Sequence, residues 1–236
     1  MKKTTPKSDV YWQKNPKQFS DLYTQTPWII SPSTVVARFL SDRSTLLLSL
    51  IPAHPSHLLD LGCGSGPHIK LLLQSAKQIV GVDYSQHMLD IAKKNLGQQK
   101  KHTWKLIQAD AANLPMPSNS FDCIISMGLL DYVPSPLLVL KECRRVITKD
   151  GVLIVSMPKK PSLFSLLRNP AGDWLKRVLF HLPPIDNAVT KTELISLIHA
   201  AGFHMITIGS VWSAMWMIKV KPIHHDSLTN RKSSIK

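Results

Sequence analysis

The chain has 236 residues, 44% of them hydrophobic, and its 29 Lys and Arg against 15 Asp and Glu give a net charge of +14. This length and composition suit one globular domain with a sizeable core, and they exclude a disordered or collagen-like chain. No apolar run approaches the ~18 residues of a membrane-spanning helix, and no secretory signal is evident. Three cysteines without C-x-x-C spacing favour a reducing cytoplasm over a disulfide framework.

The positive charge is concentrated in three segments. Residues 1–20, 159–180 and 219–236 each hold five cations and one anion, so together they supply +12 of the +14. The rest of the chain is nearly neutral. Such a charge distribution indicates what the protein binds more than how it folds.

Between residues 57 and 158, short apolar runs alternate with longer segments of helical period. We predict buried strands in HLLDL, QIVGVD, TWKLIQAD, FDCIISM and GVLIVSM. We predict helices in PHIKLLLQSA, SQHMLDIAKKNLG and SPLLVLKECRRVITKDG. Pro67 suits a first helical position, Ser85 an N-cap and Gly97 a helix stop, and the third helix is expected to end at Gly151.

The flanking segments complete the predicted fold. We predict one or two helices after Pro32, in STVVARFLSDRSTLLLSLI. Near the other end we predict a helix in TKTELISLIHAAGF, capped near Gly202, and two strands in MITIGSVW and AMWMIKV. Strands separated by helices pair in parallel. The prediction is therefore an α/β fold, a Rossmann-like, doubly wound, mostly parallel seven-stranded sheet with helices on both faces.

The predicted organisation has three parts. Residues 1–50 form an N-terminal arm and helices that cap the active site. Residues 51–220 form the main domain, with a basic amphipathic insertion at 159–189. Residues 221–236 form a flexible basic tail.

The stretch LLDLGCGSGPHIKLL carries the most information about function. A strand ends at Asp60–Leu61, and a turn leads into a helix. The turn contains three glycines, Gly62, Gly64 and Gly66, a residue type suited to close ligand approach and positive φ. The dinucleotide pattern G-x-G-x-x-G fails because Pro67 occupies its last position and removes a helix N–H. A carboxylate at Asp60 would also repel a diphosphate, so the pattern favours a cationic ligand.

Two further carboxylates follow the next two strands. Asp83 lies 21 residues after Gly62, where a carboxylate can accept hydrogen bonds from both ribose hydroxyls. Asp110 closes the third strand, in a position to meet an adenine amino group. Open α/β sheets bind ligands at the carboxyl ends of their strands. A nucleoside with a cationic side arm and no phosphate describes S-adenosylmethionine.

With these residues the chain resembles the class I S-adenosylmethionine-dependent methyltransferases. Within them it is similar to the methyltransferase type 11 group, which includes the ubiquinone and menaquinone C-methyltransferases. The matching segments are LLDLGCGSG, VGVDYSQHMLDIAKKN, ADAANLPMPSNSFDCIISMGLLDYV and LKECRRVITKDGVLIVSMP. One departure is KDG at 149–151, where the family has Pro-Gly-Gly; we expect it to alter a turn only locally.

The resemblance implies contacts with S-adenosylmethionine. Asp60 would lie near its methionine part and Asp83 would hold its ribose. Tyr84 and Met88 would flank the adenine, Asp110 and Ala111 would lie at its edge, and Met127 would lie beneath the sulfonium. The implied cofactor-binding residues are Asp60, Leu61, Gly62, Cys63, Gly64, Gly66, Asp83, Tyr84, Met88, Asp110, Ala111 and Met127. Taken alone, Cys63, Met88 and Met127 are more typical of core packing than of function.

Methyl transfer from a sulfonium depends mainly on alignment, and a general base is needed only if the acceptor must lose a proton. No catalytic residue is evident. Tyr132, after the fourth strand, is a candidate that is equally typical of packing. The histidines have no metal-ligand spacing, so no metal is predicted.

The insertion at 159–189 bears on the acceptor, because it mixes apolar residues with cations. An interfacial helix on anionic lipid, a lid over a lipophilic substrate and a helix packed on the sheet all have this pattern. We therefore expect in-line methyl transfer to a small lipophilic acceptor, in the cytoplasm or peripherally at the inner membrane surface.

Two alternatives stay open. The first is an RNA methyltransferase whose basic tails contact phosphate; against it, SMGLLDY differs from the Asn/Asp-Pro-Pro-Tyr/Phe sequence of enzymes that modify nucleobase amino groups. The second is a catalytically silent subunit that binds the cofactor.

Overall fold

The computed structural model describes residues 32–97, 103–160 and 187–224. The predicted N-terminal arm before residue 32, most of the insertion at 159–189 and the tail after residue 224 lie outside the described residues.

Five helices and seven strands are found in the described ranges. The helices are α1 (Pro32–Leu50), α2 (Pro67–Leu72), α3 (Gln86–Leu96), α4 (Pro136–Val146) and α5 (Lys191–Ala200). The strands are β1 (His57–Leu61), β2 (Gln78–Asp83), β3 (Trp104–Gln108), β4 (Phe121–Ser126), β5 (Ile147–Pro158), β6 (Phe203–Val211) and β7 (Met215–Pro222). None of these five helices is long and apolar enough to cross a membrane.

The strands form one sheet in the order β3-β2-β1-β4-β5-β7-β6. Strand β1 pairs in parallel with both β2 and β4, so that Leu59 lies opposite Val80 on one side and Ile124 on the other. Strand β7 runs antiparallel to β5 and β6. The predicted fold, a mostly parallel, seven-stranded Rossmann-like sheet, is confirmed, and the structure adds an antiparallel hairpin of β6 and β7 at one edge. Because the strand order reverses between β1 and β4, ligand binding is expected at their carboxyl ends.

Helices pack on both faces of the sheet because the buried strands present apolar residues alternately to each side. Leu58 packs in a core with residues of α1, α2 and α3, whereas the adjacent Leu59 packs in a core with residues of α4 and α5. Both leucines are fully buried. The carboxyl end of β1 therefore lies between the two cores.

The predicted helix signals near this edge are confirmed. The Ser85 hydroxyl accepts a hydrogen bond from the Met88 amide at the start of α3, and that helix ends at Gly97. Helix α2 has Pro67 in its first turn. A complete capping box of Thr190 and Glu193 begins α5, which satisfies two amide donors at that end.

The predicted extent of the helix after the fourth strand was wrong. Helix α4 ends at Val146, and β5 begins at Ile147, which pairs with Phe121 of β4. Ile147 is fully buried, and its pairing with β4 places it in a strand although the apolar spacing predicted a helix there. Gly151 lies inside β5, where a Cβ would come within 2.6 Å of the Ile147 side chain. Thus KDG belongs to an irregular strand and is not a simple turn.

Candidate active site

The carboxyl ends of the central strands bring the predicted acidic residues to one edge of the sheet. Asp60 lies near the end of β1, Asp83 ends the neighbouring β2, and Asp110 follows β3. The segment that begins at Met127 follows β4, the strand that neighbours β1 on the other side of the strand-order reversal.

The glycine-rich turn after β1 folds against the end of β2. The Gly62 and Cys63 amides both donate to the Val82 carbonyl, at 2.8 and 2.9 Å. Gly62 has a φ of 76°, and a Cβ there would lie 2.9 Å from the Leu129 Cβ. Glycine is required at this position because φ is positive and because the segment after β4 leaves no room for a side chain.

Asp83 joins this turn to the start of α3. Its carboxylate accepts hydrogen bonds from the Gly64 and Ser85 amides, each at 2.9 Å. Burial raises the pKa of Asp83, and these hydrogen bonds oppose the rise. A Cβ at Gly64 would approach the Met88 methyl group to 3.2 Å. The structure therefore brings together Asp83, Gly64 and Met88, three of the residues predicted to bind the cofactor.

Asp60 is the most unusual group at this edge. Its side chain is 1% exposed, and neither carboxylate oxygen has a hydrogen-bond partner in the described part of the chain. Burial, together with the nearby Asp83 and against the attraction of Arg43, raises the pKa of Asp60 to about 7. An isolated buried carboxylate is costly, so this arrangement suits a cationic ligand.

Arg43 of α1, which was not among the predicted site residues, also belongs to this edge. The side chain is 4% exposed, and its charge acts on Asp60, His68 and Asp131. One guanidinium nitrogen lies 3.1 Å from the position that a Cβ would take at Gly128. The signal was present in the sequence, because Arg43 interrupts the apolar face of α1. Other residues of that face are Ala37, Leu40 and Leu47.

Asp131 and His68 are two further buried ionisable groups that the sequence analysis missed. Asp131 is 2% exposed and lies in the segment after β4. Burial raises the pKa of Asp131 to about 7, against the attraction of Arg43. Burial, together with repulsion from Arg43, lowers the pKa of His68 to about 3, so that imidazole is neutral. A carboxylate within the apolar run GLLDYV was the available signal for Asp131.

Several predicted residues near the turn pack within the protein. Leu61 is fully buried in the core that contains α4 and α5. Cys63 packs in the opposite core, and burial raises the pKa of its thiol. A Cβ at Gly66 would meet Ala92 of α3 at 3.3 Å, so this glycine permits close packing of helix on turn.

The other predicted residues are spread along the edge. Tyr84 is 55% exposed. The Asp110 carboxylate accepts a hydrogen bond from the Ala112 amide, while Ala111 and Met127 are buried. The Tyr132 amide donates to the Leu129 carbonyl, which holds Tyr132 in a turn after β4.

A pair of residues on α4 fixes the segment that follows Asp110. Glu142 accepts a hydrogen bond from the Leu114 amide at 2.8 Å. Arg145 donates to the Leu114 and Met116 carbonyls and pairs with Glu142. These bonds connect the edge of the site to the helix layer beneath it.

Within the described ranges, no group of three His, Cys, Asp or Glu side chains could hold a metal ion.

The sheet order and the glycine-rich turn at its reversal define a Rossmann-like fold of the S-adenosylmethionine-dependent methyltransferase type. Comparison with known proteins agrees. Residues 59–155 match the methyltransferase domain family. This part of the chain is therefore similar to methyltransferase domains, and the resemblance stated from its sequence is confirmed.

Two relatives and one solved structure illustrate the match. The ubiquinone biosynthesis O-methyltransferase of Coxiella burnetii is 35% identical over 100 residues, which cover 42% of each chain. The tRNA U34 carboxymethyltransferase of Actinobacillus pleuropneumoniae is 27% identical over 187 residues, covering 77% of this chain and 55% of the relative. The chain spans about half the length of these curated relatives.

The structural match extends over more of the chain. Magnesium protoporphyrin IX methyltransferase from Synechocystis, solved with bound S-adenosylhomocysteine, superimposes with a TM-score of 0.71 and 15% identity. The alignment covers 92% of this chain and 99% of that one. This likeness is one of fold.

Replacing Asp60 with Asn should stabilise the protein in a pH-dependent way. The pKa of Asp60 is raised from 3.8 to about 7 in the folded state. The free energy of unfolding therefore falls as the pH rises between these two values, and it is lowest above the higher one. At pH 8 Asp60→Asn should raise the free energy of unfolding by roughly 2–4 kcal/mol, a shift of several degrees in Tm.

The difference should shrink as the pH is lowered toward 4, where both side chains are neutral. Differential scanning calorimetry of both proteins across this range makes the measurement. A wild-type protein that is more stable than Asp60→Asn at pH 8 would show that Asp60 is already compensated in the folded chain.

Proposed function

We propose that this protein transfers a methyl group from S-adenosylmethionine to a small lipophilic acceptor. The observation that carries the proposal is Asp60, a buried carboxylate whose two oxygens have no hydrogen-bond partner in the described ranges. It lies beside a glycine-rich turn at the point where the strand order reverses. A cation placed there would compensate a charge that the protein otherwise buries at a cost.

The residues at the edge fit the polar groups of S-adenosylmethionine. Asp60 would bind the ammonium of its methionine part, and Arg43 would face the carboxylate. Each oxygen of Asp83 accepts one amide hydrogen bond, which leaves lone pairs to accept ribose hydroxyls. The bound sulfonium would supply an activated methyl group, and the protein's task would be alignment of the acceptor.

The rim of the site supports a lipophilic acceptor. The turn between β6 and β7 lies beside the carboxyl end of β5, since Met215 pairs with Pro158. At this turn Trp212 is 44% exposed and packs edge-on against Phe39 of α1. Trp216 lies nearby, with the Lys159 ammonium 4.0 Å from its ring centroid. The exposed indole of Trp212 beside Phe39 offers aromatic surface to a small apolar ligand.

The family relations support the same acceptor class. One relative is named for ubiquinone biosynthesis and the structural match for a magnesium porphyrin. The basic segments at 1–20, 159–180 and 219–236 would attract an anionic membrane on which such an acceptor is held.

RNA methylation is the second candidate. The tRNA-modifying relative aligns with 77% of this chain, and phosphate would attract the same basic segments.

Fractionation of transferred label separates the two candidates. The purified protein would be incubated with S-adenosylmethionine labelled on its methyl group and with a cell extract, which is then divided into organic-soluble, RNA and protein fractions. Label in the organic fraction is expected. Nuclease-sensitive label would support RNA methylation instead, and no label in any fraction would contradict methyl transfer to these acceptors.

Asp83→Ala should weaken S-adenosylmethionine binding by roughly 1.5–3 kcal/mol, the value of charged hydrogen bonds. The matched control is Asp90→Ala, which removes an exposed carboxylate from α3. Titration calorimetry on both folded variants gives the comparison. Equal affinity of wild-type protein and Asp83→Ala would exclude the ribose assignment.

Binding should also depend on pH through Asp60. Because the pKa of Asp60 is about 7, acidification protonates the carboxyl that would bind the cation. The Kd should rise up to about tenfold for each pH unit below 7. A proton should be released on binding, measurable by calorimetry in buffers of different ionisation enthalpy.

Asp60→Asn should bind more weakly and release no proton. A Kd that stays constant from about pH 5.5 to 7.5 in the wild-type protein would contradict an ionised Asp60 as the ligand of the cation.

A further inference from the structure

The segment after β4 forms the wall of the site that faces the glycine-rich turn. Leu129 lies against Gly62, where an added Cβ would be 2.9 Å from the Leu129 Cβ. Gly128 lies against Arg43. Its amide donates to the Ser156 hydroxyl at 2.9 Å, which ties the wall to β5.

Asp131 is the acidic residue of this wall. Its side chain is 2% exposed, and Oδ1 has no hydrogen-bond partner within the described ranges. Removing a carboxylate oxygen from water without a hydrogen-bond partner is costly. Packing alone would favour an apolar residue at this position, like the neighbouring Leu130, which is fully buried.

The backbone on both sides of Asp131 is held by one side chain from outside the wall. The Asn187 Nδ2 group donates to the Leu130 and Val133 carbonyls, at 2.9 and 2.7 Å. The Asn187 amide donates to the Asp131 carbonyl at 3.2 Å. Three hydrogen bonds thus fix the direction of a segment that carries a buried carboxyl.

From this geometry we propose that the methyl acceptor is a hydroxyl or an amine and that Asp131 accepts the proton that it loses. This inference rests on the proposed function. In the step, the acceptor oxygen or nitrogen forms a bond to the methyl carbon while the carbon–sulfur bond breaks. The electron pair of that bond stays on sulfur, and the acceptor's proton passes to the Asp131 carboxylate.

The electrostatic setting suits this role. Burial raises the pKa of Asp131 to about 7, while Arg43, the charged group that acts on it, opposes the rise. A general base is most effective when its pKa is near the working pH. Asp131 would be ionised above neutrality and able to accept a proton there.

The same carboxylate selects among acceptors. A hydroxyl or an amine can donate a hydrogen bond to it, whereas an acceptor carboxylate would meet like charge in a site shielded from water. Transferred methyl groups should therefore be found in ethers or amines, and not in esters.

The test combines product chemistry with two variants. Methyl-labelled S-adenosylmethionine is incubated with a total lipid extract and with wild-type protein, Asp131→Asn or Asn187→Ala. Labelled product is then treated with mild alkali, which releases methyl from esters and leaves ethers and amines intact. Asp150→Asn, which alters an exposed carboxylate in β5, is the matched control.

The expected label is stable to alkali. Asp131→Asn should slow transfer at least about 100-fold and abolish the rise of the wild-type rate toward pH 7. Its Kd for S-adenosylmethionine should stay within about threefold of wild type. Asn187→Ala, which only loosens the wall, should slow transfer about tenfold and keep the pH profile.

A readout independent of turnover shows that Asp131→Asn is folded. Because that variant loses a buried charge, its unfolding midpoint at pH 8 should equal or exceed that of wild-type protein. Alkali-labile label, or a wild-type rate in Asp131→Asn, would overturn the role of Asp131 alone. No transfer to any acceptor by wild-type protein that binds the cofactor would overturn the proposed function, and this inference with it.

Discussion

The burial of charge at the carboxyl end of β1 is the constraint on which the site depends. Asp60 and Asp131 lie on opposite sides of the strand-order reversal, and the charge of Arg43 acts on both. One guanidinium cannot fully compensate two carboxylates, which explains why burial prevails and the pKa of each is raised to about 7. A cationic ligand beside Asp60 would compensate that carboxylate.

The rest of the fold holds these charges in place. Helix α1 carries Arg43 into the edge and is attached to the β6–β7 turn through the Trp212 indole, which donates to Asp42 at 2.8 Å. Trp212 has a φ of 48°, a conformation that is strained for a large side chain. Its contacts with Asp42 and Phe39 compensate for this strain. The antiparallel hairpin therefore contributes to the site by anchoring α1.

Local patterns predicted most of the fold. Strands β1 and β2 and the cap at Ser85 follow from short-range signals, and the site residues Asp60, Gly64 and Asp83 follow from their order along successive strands. The apolar face of α1 marks Arg43 as a buried charge, but no local pattern in the sequence identifies its neighbour Gly128 or the bond from Asn187 to Leu130. The strand β5 was misjudged for the same reason, since pairing with β4 decided the structure of residues 147–151.

Equilibrium binding of S-adenosylmethionine, compared with binding of NAD, tests the central claim most directly. The Asp60 carboxylate and the missing amide at Pro67 favour a cationic nucleoside over a diphosphate. Titration calorimetry near pH 8 should therefore show one S-adenosylmethionine bound per chain and no measurable heat with NAD. Binding of NAD, or failure of the folded protein to bind S-adenosylmethionine, would contradict the account.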